Sequence, residues 1–138
     1  MEIRKAAEGD LDNCLHIDAS YVTDQVWQLV EQPRGRERSL TFRPAVLPRP
    51  LRVQYPFDLQ DLRADWERGE CFLVAEEDGE FRGFADLVVA ERGHLGWLKH
   101  LVVLEPYRRR RVGTYLLQAA LAWSDLRGLH TVMADCQT

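Results

Sequence analysis

Four consecutive arginines, Arg108, Arg109, Arg110 and Arg111, stand just before Gly113 in the stretch EPYRRRRVGTYLL, residues 105–117. An apolar helical pattern begins at once behind them. The whole chain has a formal net charge of −4 at pH 7, so this is a local concentration of positive charge. A helix N-terminus offers unpaired backbone N–H groups and a partial positive charge. Glycine there removes a side chain that would block a ligand, and arginine presents donors that match phosphate oxygens. Arg108 to Thr114 (with Val112 and Gly113 between) therefore reads as a cradle for a pyrophosphate, Thr114 adding a hydroxyl. The bland alternative is a solvated basic turn beside Glu105. A nucleic-acid patch would need aromatic stacking platforms that do not accompany these arginines.

Acid–base candidates lie a few residues upstream. His100 sits in the apolar run 95–104, and imidazole titrates near neutrality when unperturbed; a structural histidine is the competing reading. Glu91 and His94, in the turn before that run, could act through a water. Three cysteines, Cys14, Cys71 and Cys136, are an odd number without metal-ligand spacing, and read as free thiols in a reducing compartment. No metal site is expected. The four tryptophans at 27, 66, 97 and 123 are core candidates, Trp97 also a wall for an acceptor.

The elements that must position these residues follow from pattern. MEIRKA suits a first strand, and Asp10 can cap a short helix with Leu11, Cys14 and Leu15 on one face. Leu59, Leu62 and Trp66 recur at helical spacing up to Gly69. Apolar runs at 71–75, 84–90 and 95–104 form an antiparallel meander, its first turn marked by Asp78-Gly79. Pro106 ends the third strand. Val112, Leu116, Ala119, Ala120 and Trp123 then share a helical face, Gly128 stops the helix, and TVMADC gives one more strand. That last helix is a crossover between two parallel strands. The fold class is α/β, a mixed sheet with helices on both faces.

One region departs from this rhythm. Residues 31–56 hold five of the six prolines and six arginines. SLTFRPAVL and LRVQY alternate at period two on either side of PRP, which suggests an exposed hairpin or extended loop pair there. The chain of 138 residues fits one domain, 1–138, carrying this segment as an insert. With 46% hydrophobic and 29% charged residues it has the composition of a soluble globular protein. The mildly acidic balance argues against general nucleic-acid affinity. The N-terminus lacks a signal-peptide core, and no run is long enough to span a membrane, so a cytoplasmic protein is expected.

The segment 99–136, LKHLVVLEPYRRRRVGTYLLQAALAWSDLRGLHTVMADC with its preceding leucine, resembles the core of the GCN5-related N-acetyltransferase (GNAT) family. The resemblance extends from IRKAAEGDLDNCLHID to the end of the chain, with 31–56 the least family-like part. The family's acetyl-coenzyme A motif is Gln/Arg-x-x-Gly-x-Gly/Ala. Arg108 matches its first position and Gly113 its last, while Arg111 stands where the first glycine is usual. The resemblance implies acetyl-CoA as cosubstrate. It also implies that backbone groups of Leu101, Val102 and Val103 pair with the pantetheine arm and supply an oxyanion N–H. The strand carrying them and TVMADC would splay to form the slot. A primary amine would attack the thioester directly, with His100 or Glu91 as base; the glutamate some relatives use on the central strand falls on Trp97 here. The family's usual last helix and two strands, and the tyrosine acid on that helix, have no counterpart. A truncated form, completion by a second copy as a homodimer, and a minimal relative all stay open. TDQVWQL resembles acetyltransferases of the streptothricin-resistance type, which favours a small-molecule acceptor, whereas the six arginines of 31–56 would suit an acidic one. A non-catalytic acyl-CoA-binding or regulatory module, and an interaction domain for an anion or acidic partner, are the rival readings.

Overall fold

A computed structural model describes residues 1–136, and of Glu91 the backbone only. The chain forms two compact units, one of residues 1–19 and 56–135 and a second containing residues 20–55.

The first unit is built on a five-stranded sheet in the order β1-β4-β5-β6-β7. Its strands are β1 (Glu2–Lys5), β4 (Cys71–Glu77), β5 (Glu80–Ala90), β6 (Leu95–Val103) and β7 (Thr131–Ala134). The meander forms as its sequence predicts: β4 and β5 are antiparallel about Asp78-Gly79, and β5 and β6 are antiparallel in turn. Asp78 and Gly79 both take positive φ, 55° and 75°, the geometry for which Asp-Gly is selected. β7 runs parallel to β6 after helix α3 (Val112–Leu126).

Alternation along the strands divides the core between two faces. Cys71, Ala75, Ala85, Leu87 and Leu98 pack with Val112, Leu116 and Ala120 of α3 and with Leu129. Phe72 and Phe84 point the other way and stack with centroids 5.8 Å apart. On that side lie α1 (Leu11–Leu15) and α2 (Leu62–Glu67), whose Leu11, Cys14 and Leu62 are buried. Trp66 of α2 donates its indole N–H to the Ala6 carbonyl at 2.9 Å, tying the helix to the end of β1. Helices therefore cover both faces, as the pattern implies. Burial pushes the Cys14 and Cys71 thiols up to about 12, which leaves them unreactive. Among the described residues no helix is long and apolar enough to cross a membrane.

The second unit is a two-stranded ribbon, β2 (Tyr21–Arg34) against β3 (Glu37–Val53). The expected hairpin around PRP is corrected here. SLTFRPAVL and the first three residues of LRVQY belong to one strand, β3, and the reversal lies at Gly35, whose φ is 65°. The ladder passes from Gln25↔Val46 to Thr23↔Leu51, so residues 47–50 bulge opposite one residue. Pro48 and Pro50 occupy that bulge, where no ladder N–H is required. The period-two alternation on either side of PRP is that of one bulged strand.

Candidate functional site

The arginine stretch is held in a conformation that arginine adopts reluctantly. A single 3-10 turn, Glu105–Tyr107, follows β6. Arg108 is extended, and then Arg109 and Arg111 take φ values of 63° and 66°. Left-handed backbone costs a residue with a Cβ about 1 kcal/mol or more. Arg111 thus reproduces the conformation for which glycine is usual at its position, and is the residue that caps α3. No side chain caps the helix, so its first N–H groups have no side-chain acceptor from the cap residue.

Arg108 turns inward. Its Nε donates to the Val103 carbonyl at 2.9 Å and one Nη to the Asp18 carbonyl at 3.2 Å. It braces the loop against β6, while Arg109, Arg110 and Arg111 are exposed. Tyr107 is stacked by Arg82, whose guanidinium carbon is 3.8 Å from the ring centroid, and the Arg110 carbon lies 5.9 Å from the same centroid. A depression of about 340 Å³ opens among Val103, Arg108, Arg109, Arg111, Gly113 and Thr114. A Cβ built on Gly113 would meet only Val103 Cγ2, at 3.6 Å, so the space over this glycine is filled by no protein atom. Open amides at a helix N-terminus, cationic side chains and an unfilled depression fit a pyrophosphate.

β6 supplies the adjoining slot. β7 pairs with it only from Leu95 to Leu98, and the ladder ends there. Leu101, Val102 and Val103 continue β6 beyond that pairing, and on the other side they remain bonded to β5. The register between β5 and β6 steps from Asp86↔His100 to Leu87↔Leu98, which leaves Lys99 as the extra residue of a bulge.

The bulge faces a second cavity, about 240 Å³, lined by Phe57, Asp58, Asp61, Trp97, Lys99, His100 and Asp135. His100 is only 3% exposed, with Phe57 and Phe84 ring centroids at 6.3 and 6.2 Å. Burial, with Lys99 nearby, lowers its pKa from 6.5 to about 4, so the imidazole is neutral at pH 7. Glu91 begins the turn between β5 and β6, and its side chain lies outside the described residues. His94 is in the same turn, its ring stacked on His130 at 5.7 Å and away from the cavity lining.

Two carboxyl groups behind the cavity escaped the sequence reading. Asp65 of α2 is 7% exposed and bonded to the Lys99 ammonium. Asp86 of β5 is 1% exposed, and burial, with Asp65 beside it, pushes its pKa up to about 8. A signal existed for both. Asp86 is the one charge in the run FADLVVA, and Asp65 follows buried Leu62 by three residues, on the inner face of the helix. Among the described residues no group of three or more His, Cys, Asp or Glu could hold a metal.

Comparison with known proteins accords with this geometry. Residues 39–138 match the model of the acetyltransferase (GNAT) family. No curated protein sequence matches the chain. Among solved structures, a nourseothricin acetyltransferase superposes with TM-score 0.74 at 22% identity, covering 96% of this chain and 71% of its own. A proposed streptothricin acetyltransferase of Bacillus anthracis str. Ames, in complex with acetyl coenzyme A, gives 0.66 at 18% identity, covering 96% and 73%. The ribosomal-protein-S18-alanine N-acetyltransferase of Escherichia coli gives 0.66 at 14%, covering 99% and 67%.

Proposed function

The chain belongs to the acetyltransferase (GNAT) family, whose members transfer acetyl from acetyl-CoA to amines, and we propose that its own acceptor is a small molecule bearing a primary amine and further positive charge. The observation that carries this reading is the cavity beside the β6 bulge. Three carboxylates, Asp58, Asp61 and Asp135, line it with the rings of Phe57 and Trp97. Carboxylates and aromatic faces attract ammonium groups. They disfavour the acidic acceptor that the arginines of 31–56 had suggested.

Arg109, Arg110, Arg111 and the first amides of α3 hold the pyrophosphate, and Gly113 leaves it room. Bound acetyl-CoA supplies the acetyl group as a thioester. Of the backbone groups of Leu101, Val102 and Val103, beyond the end of the β7 ladder, those that point away from β5 would orient it and meet charge developing on the carbonyl oxygen. His100 takes the proton from the acceptor ammonium. Its neutral state at pH 7 makes it available, and its low basicity makes the transfer uphill, the more so because the carboxylates favour the ammonium form. As the acceptor nitrogen bonds to the acetyl carbon and the C–S bond breaks, the proton held by His100 would pass to the departing thiolate. Glu91 is the second candidate base. Leu95, where its turn joins β6, lies about 16 Å along the strand from His100, which favours His100.

The test is coenzyme A release with acetyl-CoA and a panel of amines of equal size but one, two or three positive charges, nourseothricin included. KM should fall with charge, and Asp58→Asn with Asp61→Asn should raise it without changing the KM for acetyl-CoA. Equal turnover of neutral-bodied and polycationic amines would overturn the acceptor assignment. The strained Arg111 backbone favours one rival, a module that binds acyl-CoA without turnover; binding without coenzyme A release from any amine would select it.

A further inference from the structure

Behind the cavity wall, Asp86 has an environment that neither binding nor proton transfer explains. It lies between Phe72 of β4 and His100 of β6 in the sheet register. Its Oδ2 is buried without a hydrogen-bond partner. An ionised carboxylate so placed would be costly. Asp65 is the acid that acts on it, by charge and by hydrogen bonding, after burial itself. Two carboxyl groups in contact share a proton rather than ionise together. Asp65 is meanwhile the partner of Lys99, and Lys99 is the bulge residue.

This assembly, resting on the acetyl transfer proposed above, has a consequence for the bulge. Strict alternation would send Lys99 and His100 to opposite faces of the sheet. Anchoring Lys99 to α2 keeps both on the same face, lining one cavity. A buried ion pair holds one geometry only when its remaining lone pairs are satisfied. We propose that Asp86 is a positioning residue, a protonated carboxyl that donates to Asp65, orients Asp65 toward Lys99, and so fixes the β6 bulge and the placement of His100.

Burial and Asp65 are the chief reasons the proton stays on Asp86 up to about pH 8. The charged and titratable groups facing it are Asp65 and Arg68 from the α2 side and Lys99 from β6, with His100 opposite in register. The Cys14 and Cys71 thiols, from α1 and β4, are within reach of its charge once it ionises. Above that pH, two anions would confront one Lys99, and the bulge would loosen.

Asp86→Asn and Asp86→Ala separate this role from others, because asparagine donates but cannot ionise. For Asp86→Asn, kcat should stay within about twofold of the parent, and the fall in kcat above about pH 8 should disappear. For Asp86→Ala, kcat should drop at least about tenfold with acetyl-CoA affinity unchanged. Two readouts do not depend on turnover. The infrared band of a protonated carboxyl should be present in the parent at about pH 6.5 and absent from the asparagine variant. The backbone amide resonances of Lys99 and His100 should move in the alanine variant and not in the asparagine one. An asparagine variant as impaired as the alanine one, or a parent without the infrared band, would overturn the proposal; so would unmoved resonances in the alanine variant. A parent that turns over no amine yet shows the band and the resonance pattern would refute acetyl transfer and leave the positioning role standing.

Discussion

Lys99 and His100 are adjacent in the chain, yet both line the same cavity. The register step opposite Asp86 and Leu87 makes this geometry available. The bulge occurs directly after Leu98, where pairing with β7 ends. The strand therefore changes its side-chain phase where it leaves its parallel neighbour, beside the cavity lined by Phe57, Asp61 and Trp97.

His100 provides the most direct check of the chemistry. Replacement by glutamine should lower kcat by about a hundredfold, a common loss for a general base, and leave the acetyl-CoA dissociation constant unchanged. The pKa shift gives a second expectation. The folded imidazole titrates near 4 and its ordinary value is 6.5, so the unfolded chain binds more protons in between. The stability this neutral histidine contributes is complete above pH 6.5 and lost as pH falls toward 4. The parent's melting temperature should fall more steeply across that window than that of His100→Gln. Unchanged kcat in the glutamine variant would show His100 to be an ordinary core histidine, since burial lowers its pKa in either case and gives the same melting behaviour.

Much of this arrangement was legible in the sequence, for identifiable reasons. The meander was readable because Asp78-Gly79 and the apolar runs are local signals. The start of α3, with Gly113, behind the arginines was readable because these residues are contiguous. The cavity was not, since Phe57 and Asp58, Asp65, Asp86 and Lys99 come from four separate segments and meet only through sheet register. The bulge at Lys99 was invisible because it depends on a partner strand. The ribbon turn was misplaced because prolines usually interrupt strands, and here β3 absorbs Pro48 and Pro50 in a bulge of its own.

Arg111 stands in left-handed backbone, with φ 66°, where the family motif has glycine. Arg111→Gly should relieve about 1 kcal/mol of strain and raise the melting temperature by a few degrees. Acetyl-CoA affinity should hold or improve, because Arg109 and Arg110 remain. Weakening of binding by tenfold or more would mean that the Arg111 guanidinium itself holds a phosphate and outweighs its backbone cost.

Gly83 carries a structural prediction near the slot. A Cβ there would lie 2.4 Å from the Val102 carbonyl oxygen and 3.0 Å from the Val103 Cα. Backbone atoms of a central strand cannot move aside cheaply. Gly83→Ala should destabilise the fold by about 2 kcal/mol or more, seen as a clear fall in melting temperature, with acetyl-CoA affinity reduced because β6 carries the slot. An alanine variant as stable as the parent would mean that β5 and β6 can separate locally without cost.

Gly113 should behave in the opposite way. It lies in the first turn of α3, and its Cβ position touches only Val103 Cγ2, at 3.6 Å. Nothing in the fold requires glycine here. Replacement by leucine should keep the melting temperature or raise it, since glycine costs a helix up to about 1 kcal/mol. The same side chain would occupy the depression that Val103, Arg109, Arg111 and Thr114 share with this glycine. Acetyl-CoA affinity should fall by tenfold or more, about 1.4 kcal/mol, measured by calorimetry on the folded variant. Stability up and affinity down would identify Gly113 as space kept for the ligand. An unchanged dissociation constant would place the pyrophosphate elsewhere and return the arginines to the status of a solvated basic turn.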